Sequence, residues 1–363
     1  MTLLEEMNQK ALDRGIPIDV HFDITYRCNE RCVHCYLDHD DHGELTTAEI
    51  KDVIRQLADA QVFFLTFSGG EVFLRRDFLE LVEYARSLLF NVKVKTNGVM
   101  IRQSEAERLR ALGVEQIQLS VYSHRPEVHD AITKLPGSLE RTIKAIRFLK
   151  SHGLKVIMAN VLMTANMRDH AGVQALAREL GVRYSLDPTI TPRMDGDTSV
   201  LKLRIPGSEL REVFHNDALI GDAKEFCAPP QPASDDDLDG YPCSAAHSAC
   251  YISPYGDVFP CVQFPLPSGN VRRQKFLDIW QNSPQLNQVR AIRARDLHVC
   301  SGCTHVAGCS RCPGLAYMEG SMYGPSTADC EKSFHRTGIP SANMLRRGTA
   351  LGQPLIQIQP LPA

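Results

Sequence analysis

Twelve cysteines, set in short-spaced groups, are the residues of this chain best suited to chemistry. Cys28, Cys32 and Cys35 come first, with three and two residues between them. None follows until Cys227; then come Cys243, Cys250 and Cys261, next Cys300, Cys303, Cys309 and Cys312, and lastly Cys330. No secretory signal is evident at the N-terminus, so clustered thiols predict metal ligands rather than a disulfide framework. Three neighbouring thiolates can hold three irons of a 4Fe–4S cluster and leave the fourth open, as a catalytic centre requires. The alternative is zinc, with His34 as a fourth ligand. In the last group, Cys300-x2-Cys303 with Cys309-x2-Cys312 also has the spacing of a zinc knuckle.

The elements that must position these thiols are legible as alternating patterns. Ile18–Ile24 reads as a half-buried strand ending just before Cys28. Thr46-Thr-Ala-Glu49 has the form of a capping box, and Ile50, Val53, Ile54 and Leu57 follow at helical spacing. Strands are predicted over Val62–Phe67, Val92–Thr96, Gln116–Val121, Leu154–Val161 and Arg183–Leu186. Helices are predicted over Asp77–Leu89, Glu105–Leu112, Ser138–His152 and Asp169–Leu180. Six strands separated by helices imply an α/β fold with a parallel sheet and right-handed crossovers. Six units fall short of the eight of a closed barrel, so a partial (β/α)6 TIM-like barrel is expected.

Beyond Pro188 the texture changes, and Leu201–Asn216 is read as a short strand and a helix. Residues 228–240 (APPQPASDDDLDG) read as a proline- and aspartate-rich loop, with Asp235–Asp239 a solvated acidic run. From Tyr241 to Cys330 the chain is rich in Cys, Gly and Pro, and is expected to fold around metal rather than a large apolar core. The expected divisions are an N-terminal segment 1–17, the barrel 18–190, a bridge 191–240, the cysteine-rich domain 241–335 and a tail 336–363 ending GQPLIQIQPLPA. Forty basic and 43 acidic residues give a net charge of −3. That excludes nucleic-acid binding by bulk positive charge, and no apolar run is long enough to span a membrane. A cytoplasmic protein is expected.

The segment Thr25-Tyr-Arg-Cys-Asn-Glu-Arg-Cys-Val-His-Cys-Tyr36 resembles the signature of the radical S-adenosylmethionine (SAM) enzymes, with His34 at the position beside the adenine. Further similarities fall at successive strand ends: Ser68-Gly69-Gly70-Glu71, Thr96-Asn97-Gly98 and Ser120-Val-Tyr-Ser123. The resemblance implies that Gly69, Gly70 and Glu71 serve the methionine amine, with Glu71 an anion facing an ammonium. It assigns Thr96, Asn97 and Ser120 to the cofactor's carboxylate and ribose. It implies a catalytic 4Fe–4S cluster on Cys28, Cys32 and Cys35, and reductive cleavage of SAM to a 5′-deoxyadenosyl radical that takes hydrogen from substrate.

The later cysteines, with Gly256 five residues before Cys261, are similar to the SPASM extension, which carries two auxiliary 4Fe–4S clusters. One departure is that Cys309 and Cys312 are separated by two residues where the family has three. The family's connectivity implies Cys243, Cys250, Cys261 and Cys312 around one cluster, and Cys300, Cys303, Cys309 and Cys330 around the other. Cys227 is left over. It reads either as an ordinary buried thiol or as a catalytic hydrogen-atom donor of the kind found in radical peptide epimerases.

By the same resemblance the chain is expected to be a peptide maturase that forms a cross-link, a thioether or an inverted centre. Val262 and Gln263 follow Cys261 where the formylglycine-forming relatives are expected to carry an acidic residue. The alternatives are oxidation or decarboxylation of a small molecule such as a tetrapyrrole side chain, and, in another class, a non-catalytic metal scaffold. A flavodoxin or ferredoxin is the expected reductant. With about seventeen residues ahead of Ile18, a leader peptide is expected to need a separate recognition protein or a groove on this chain. Arg193 and Asp195 are candidates for a substrate contact, whereas His124, His129 and Asp130 are read as structural.

Overall fold

The computed structural model describes residues 3–39 and 42–347; the terminal GQPLIQIQPLPA lies outside the described residues. Strands β1 (Asp19–Thr25), β2 (Phe64–Gly69), β3 (Asn91–Thr96), β4 (Gln116–Ser120), β5 (Val156–Val161) and β6 (Arg183–Asp187) run parallel, in chain order. After α1 (Leu3–Arg14), the crossovers are α2 (Thr47–Asp59), α3 (Phe78–Ser87), α4 (Gln103–Ala111), α5 (Pro126–Thr133), α6 (Ser138–Ser151) and α7 (His170–Glu179). The partial six-unit barrel is therefore present. Thr46 and Glu49 close the expected capping box on α2, whose Ile50, Val53, Ile54 and Leu57 are buried.

Alternation along each strand makes two different faces. Val20, Phe22, Leu65, Phe67, Val92, Val94, Ile117 and Leu119 point to the helices and form the core. The opposite face is polar, carrying His21, Asp23, Thr66, Ser68, Lys93, Lys95, Gln116 and Gln118.

Three expectations are corrected. The cysteine-rich region, expected to fold without a large apolar core, shares the core of the barrel. Its β7 (Ala249–Ile252) pairs parallel to β1, from Asp19↔Ala249 to Phe22↔Ile252. Then β8 (Asp257–Phe259) and β9 (Gly269–Asn270) extend the same sheet antiparallel, making nine strands. Phe264, Phe276, Ile279, Trp280 and Leu286 are buried in one cluster with Phe22, Ile54 and Leu57. Elements of two to eight residues are too short to display a period, which is why this core is invisible locally. Second, Asp235–Asp239 is a short helix capped by Ser234, not a loop. Third, Ser199–Leu203 is a 3-10 turn rather than a strand, ahead of the helix Gly207–Phe214. Among the described residues no helix is long and apolar enough to cross a membrane.

Candidate active site

The loop bearing Cys28, Cys32 and Cys35 leaves the carboxyl end of β1, and its backbone is tied on every side. Glu44, almost fully buried, accepts from the Thr25 hydroxyl and the Tyr26 N–H at 2.8 Å each. Arg31 and Val33 donate their N–H groups to the carbonyls of Thr133 and Ile132, at the end of α5, at 2.9 Å each. On the far side, the Met194 N–H donates to the Tyr36 carbonyl at 2.9 Å, so the segment after β6 covers the loop. Arg193 and Asp195 lie there, paired with each other at 3.3 Å. Neither Glu44 nor α5 was singled out from the sequence. Pro126 at the first turn of α5 was an available signal.

The Gly-Gly-Glu segment holds the cysteine loop. Gly70 and Glu71 donate their N–H groups to the carbonyls of Thr25 and Arg27 at 2.8 and 2.9 Å. A Cβ on Gly69, whose φ is +129°, would stand 2.0 Å from the Thr25 oxygen, and one on Gly70 2.4 Å from that of Arg27. Only glycine permits this approach. Glu71 is fully buried. Its carboxylate accepts from the Thr96 hydroxyl at 2.8 Å, the Asn97 N–H at 2.9 Å and the Phe73 N–H at 3.1 Å. Burial nevertheless raises its pKa above the usual range. The expectation of an anion offered to an ammonium is thus corrected: every stabilising donor comes from the ends of β2 and β3, and no surface of Glu71 is open. Asn97 in turn donates to Asn29 at 2.7 Å and approaches Cys28 Sγ at 3.9 Å.

His34 packs edge-on against Tyr122, with ring centroids 4.7 Å apart. Burial holds its pKa down near 4, and its Nδ1 is buried without a partner. Tyr122 stacks on His129, whose Nδ1 accepts the Tyr122 N–H at 3.1 Å, so His129 is structural as expected. Ser120 lies at the end of β4, in register with Ala159.

The three loop thiols are half-buried, and burial pushes Cys28 up to about 12 and raises Cys32 and Cys35 as well. Such thiols ionise only against added positive charge, which the irons of a cluster supply. The Glu30 N–H already points at Cys28 Sγ from 3.4 Å, the kind of donor that steadies a ligating thiolate. The donor set fits the cluster.

Farther along, Cys300, Cys303, Cys309 and Cys330 line one cavity of about 320 Å³, together with Asp237 and Arg311. The Ala342 N–H donates to Cys303 Sγ at 3.4 Å, and the Asn343 amide to Cys330 Sγ at 3.8 Å. Among the described residues no three Cys, His, Asp or Glu side chains close on a single point as one ion would need. Four thiols around a cavity suit a cluster instead. Cys243 and Cys312 accept N–H groups from Ala245 and Leu315 at 3.4 Å each, and Cys243 feels the charge of both Cys261 and Cys312. Of the four thiols expected around this cluster, Cys250 alone is buried. It is 3% exposed on the helix-facing side of β7, in the apolar cluster with Val20 and Ile252, and Cys261 is the one cysteine that perturbs it.

Cys227 sits elsewhere again. Its thiol donates to the Phe214 carbonyl at 3.2 Å and packs against the cluster of Leu162, Ile205, Leu210, Val213 and Phe214. These contacts include neither the cysteine loop nor the ends of β1–β4.

A partial parallel barrel with three thiols on the loop after its first strand, and a cysteine-rich extension of the same sheet, defines a cluster-dependent enzyme of the radical type. The Radical SAM superfamily profile matches residues 22–173, and that of SPASM, an iron-sulfur cluster-binding domain, matches residues 243–304. The mycofactocin maturase MftC of Mycobacterium tuberculosis is 31% identical, over 96% of this chain and 90% of that protein. The AdoMet-dependent heme synthase of Methanosarcina barkeri is 28% identical, over 84% and 93%. The crystal structure of Streptococcus suis SuiB bound to S-adenosylmethionine superposes with a TM-score of 0.72 at 19% identity, over 90% of this chain and 80% of that one. The chain belongs to the radical SAM superfamily and carries a SPASM domain.

It is accordingly an enzyme that uses a 4Fe–4S cluster, SAM and auxiliary iron–sulfur clusters. When bound, the cluster supplies the electron that splits the sulfonium and leaves a 5′-deoxyadenosyl radical. The protein holds the loop thiols through Glu44, Gly70 and α5, and closes the loop from outside with residues 191–197. The His34–Tyr122 pair forms a wall that carries one unpartnered ring nitrogen, and the sheet's polar face forms the floor.

Proposed function

We propose that this enzyme takes its hydrogen atom from a ribosomally made peptide and leaves a cross-link, a thioether or an inverted centre. The observation that carries this is the 31% identity with a maturase, continuous across both cluster-binding halves. A Bacillus subtilis protein of subtilosin biosynthesis, an antilisterial bacteriocin, is also similar at 26% identity. The heme synthase relatives keep tetrapyrrole oxidation as the second substrate class to test.

In this assignment Cys28, Cys32 and Cys35 hold the catalytic cluster, with His34, Gly69, Gly70, Thr96, Asn97 and Ser120 around SAM. Cys300, Cys303, Cys309 and Cys330 hold one auxiliary cluster, and Cys243, Cys261 and Cys312 the other. A flavodoxin or ferredoxin supplies electrons, a separate protein presents the leader peptide, and the setting is cytoplasmic, where clustered thiols stay reduced.

Anaerobic reconstitution tests it. About twelve irons per chain are expected from three 4Fe–4S clusters, with dithionite-driven release of 5′-deoxyadenosine. A precursor peptide encoded beside the gene should accelerate that release and gain a mass change. Acceleration by a tetrapyrrole dicarboxylate instead would transfer the assignment to the second class, and zinc in place of iron with no cleavage would end it.

A further inference from the structure

On the polar face of the sheet, three side chains stand in a row without protein partners. Lys95 of β3 is in register with Gln118 of β4. One residue beyond the Phe67↔Val94 pair, it also lies beside Ser68 of β2. Among the described residues, Ser68, Lys95 and Gln118 make no side-chain hydrogen bond or ion pair. The charged neighbours Lys93 and Asp23 are engaged. Lys93 pairs with Asp19 at 3.5 Å and covers the Phe64 ring at 4.2 Å. Asp23, fully buried, accepts from His21 at 3.0 Å and Tyr251 at 2.9 Å.

Lys95 remains open to solvent although protein encloses it: burial draws its pKa down, while Asp23 and Asp19 hold it up. An ammonium with solvent access and no protein partner is free to meet an anion that enters the barrel. The row lies one residue inside the barrel from Thr96, which is itself fixed on Glu71.

We propose that Ser68, Lys95 and Gln118 form a cradle for a carboxylate of the substrate, fixing its depth in the barrel. This rests on the polar face being the substrate's side of the sheet. One ammonium flanked by a hydroxyl and a carboxamide balances a single negative charge through charge-assisted hydrogen bonds. A phosphate dianion would call for more cation. The carboxylate is a peptide's C-terminus, an acidic side chain, or a tetrapyrrole propionate.

The test is equilibrium binding to the cluster-loaded enzyme with SAM present. The probes are N-acetylated tripeptides in three forms: free C-terminus, amidated, and amidated with a glutamate. Mesoporphyrin and its dimethyl ester add a third comparison to the two that the peptides provide. At least one carboxylate form should bind about tenfold or more tightly than its neutral partner, the worth of a charge-assisted contact. Lys95→Met should erase that preference, Lys95→Arg should keep most of it, and Gln118→Ala should weaken it partly. Iron content and circular dichroism show that each variant is folded.

Selective binding of mesoporphyrin alone, lost in Lys95→Met, would support the cradle while overturning the peptide assignment. No preference in any pair, or one that survives Lys95→Met, would overturn the cradle. So would a loss confined to SAM affinity, which would give the row to the cofactor, or a shift only in auxiliary-cluster potential, which would make Lys95 a partner of Cys261.

Discussion

The Tyr251 hydroxyl donates to the Asp23 carboxylate at 2.9 Å, joining a strand of the cysteine-rich region to the first strand of the barrel across 228 residues of chain. Asp23 has no exposed surface. Removing the donor leaves a buried carboxylate short of one hydrogen bond, at a cost of about 1–3 kcal/mol. Tyr251→Phe should therefore lower the thermal midpoint of the cluster-loaded protein by several degrees. An unchanged midpoint would show that water replaces the hydroxyl.

A second tie between the regions is pH-sensitive. The Arg272 guanidinium, 2.7 Å from Glu49, and the Thr46 N–H hold the Glu49 carboxyl down to about 2 from the ordinary 4.5. The folded value is the lower one, so this contribution is fully present above pH 4.5 and is lost as the pH falls towards 2. The side chains are 37% and 35% exposed, so screening leaves at most about 1 kcal/mol. Glu49→Gln should flatten the melting profile between pH 4.5 and 2, and added salt should shrink the difference. A profile that keeps its slope in the variant would assign the acid sensitivity to other groups.

Gly69→Ala should disable the catalytic cluster selectively. The new Cβ would meet the Thr25 carbonyl at 2.0 Å, and backbone cannot yield there without moving the cysteine loop. Iron analysis should show a loss of about four irons, with 5′-deoxyadenosine release abolished and the auxiliary signals retained in electron paramagnetic resonance. Full iron with normal cleavage would mean that the loop tolerates the shift.

Cys250→Val should keep the iron count and the auxiliary spectra, because the thiol faces the apolar layer behind β7. Cys243→Ala should lose about four irons. Equal losses in the two variants would place Cys250 among the ligands after all.

Cys227→Ala should leave the product and its deuterium content in heavy water unchanged, since the thiol is bonded to the Phe214 carbonyl. A product that loses its solvent-derived label would restore the hydrogen-donor role.

Much of the site was legible because its signals are local. The spacing of Cys28, Cys32 and Cys35, the alternation of β1 and the capping box at Thr46 each need only a few consecutive residues. Glu71 was found by motif, but its direction was not: the same three residues could face a ligand or lock the ends of β2 and β3. Burial of the carboxylate decided that. Glu44 was missed because nothing nearby in sequence marks it as an anchor for Thr25 and Tyr26.

By itself the sequence determined the chemistry: three thiols after a strand, in an alternating α/β chain, and eight more in a cysteine-rich region. Spacing and period are properties of neighbouring residues, so they survive without any fold. Tertiary structure alone decided which thiols meet. The parallel pairing of β7 with β1 turns Tyr251 towards Asp23 and Cys250 towards the helices. A strand's register fixes the face of every side chain on it, and that register is set by a partner more than 200 residues away.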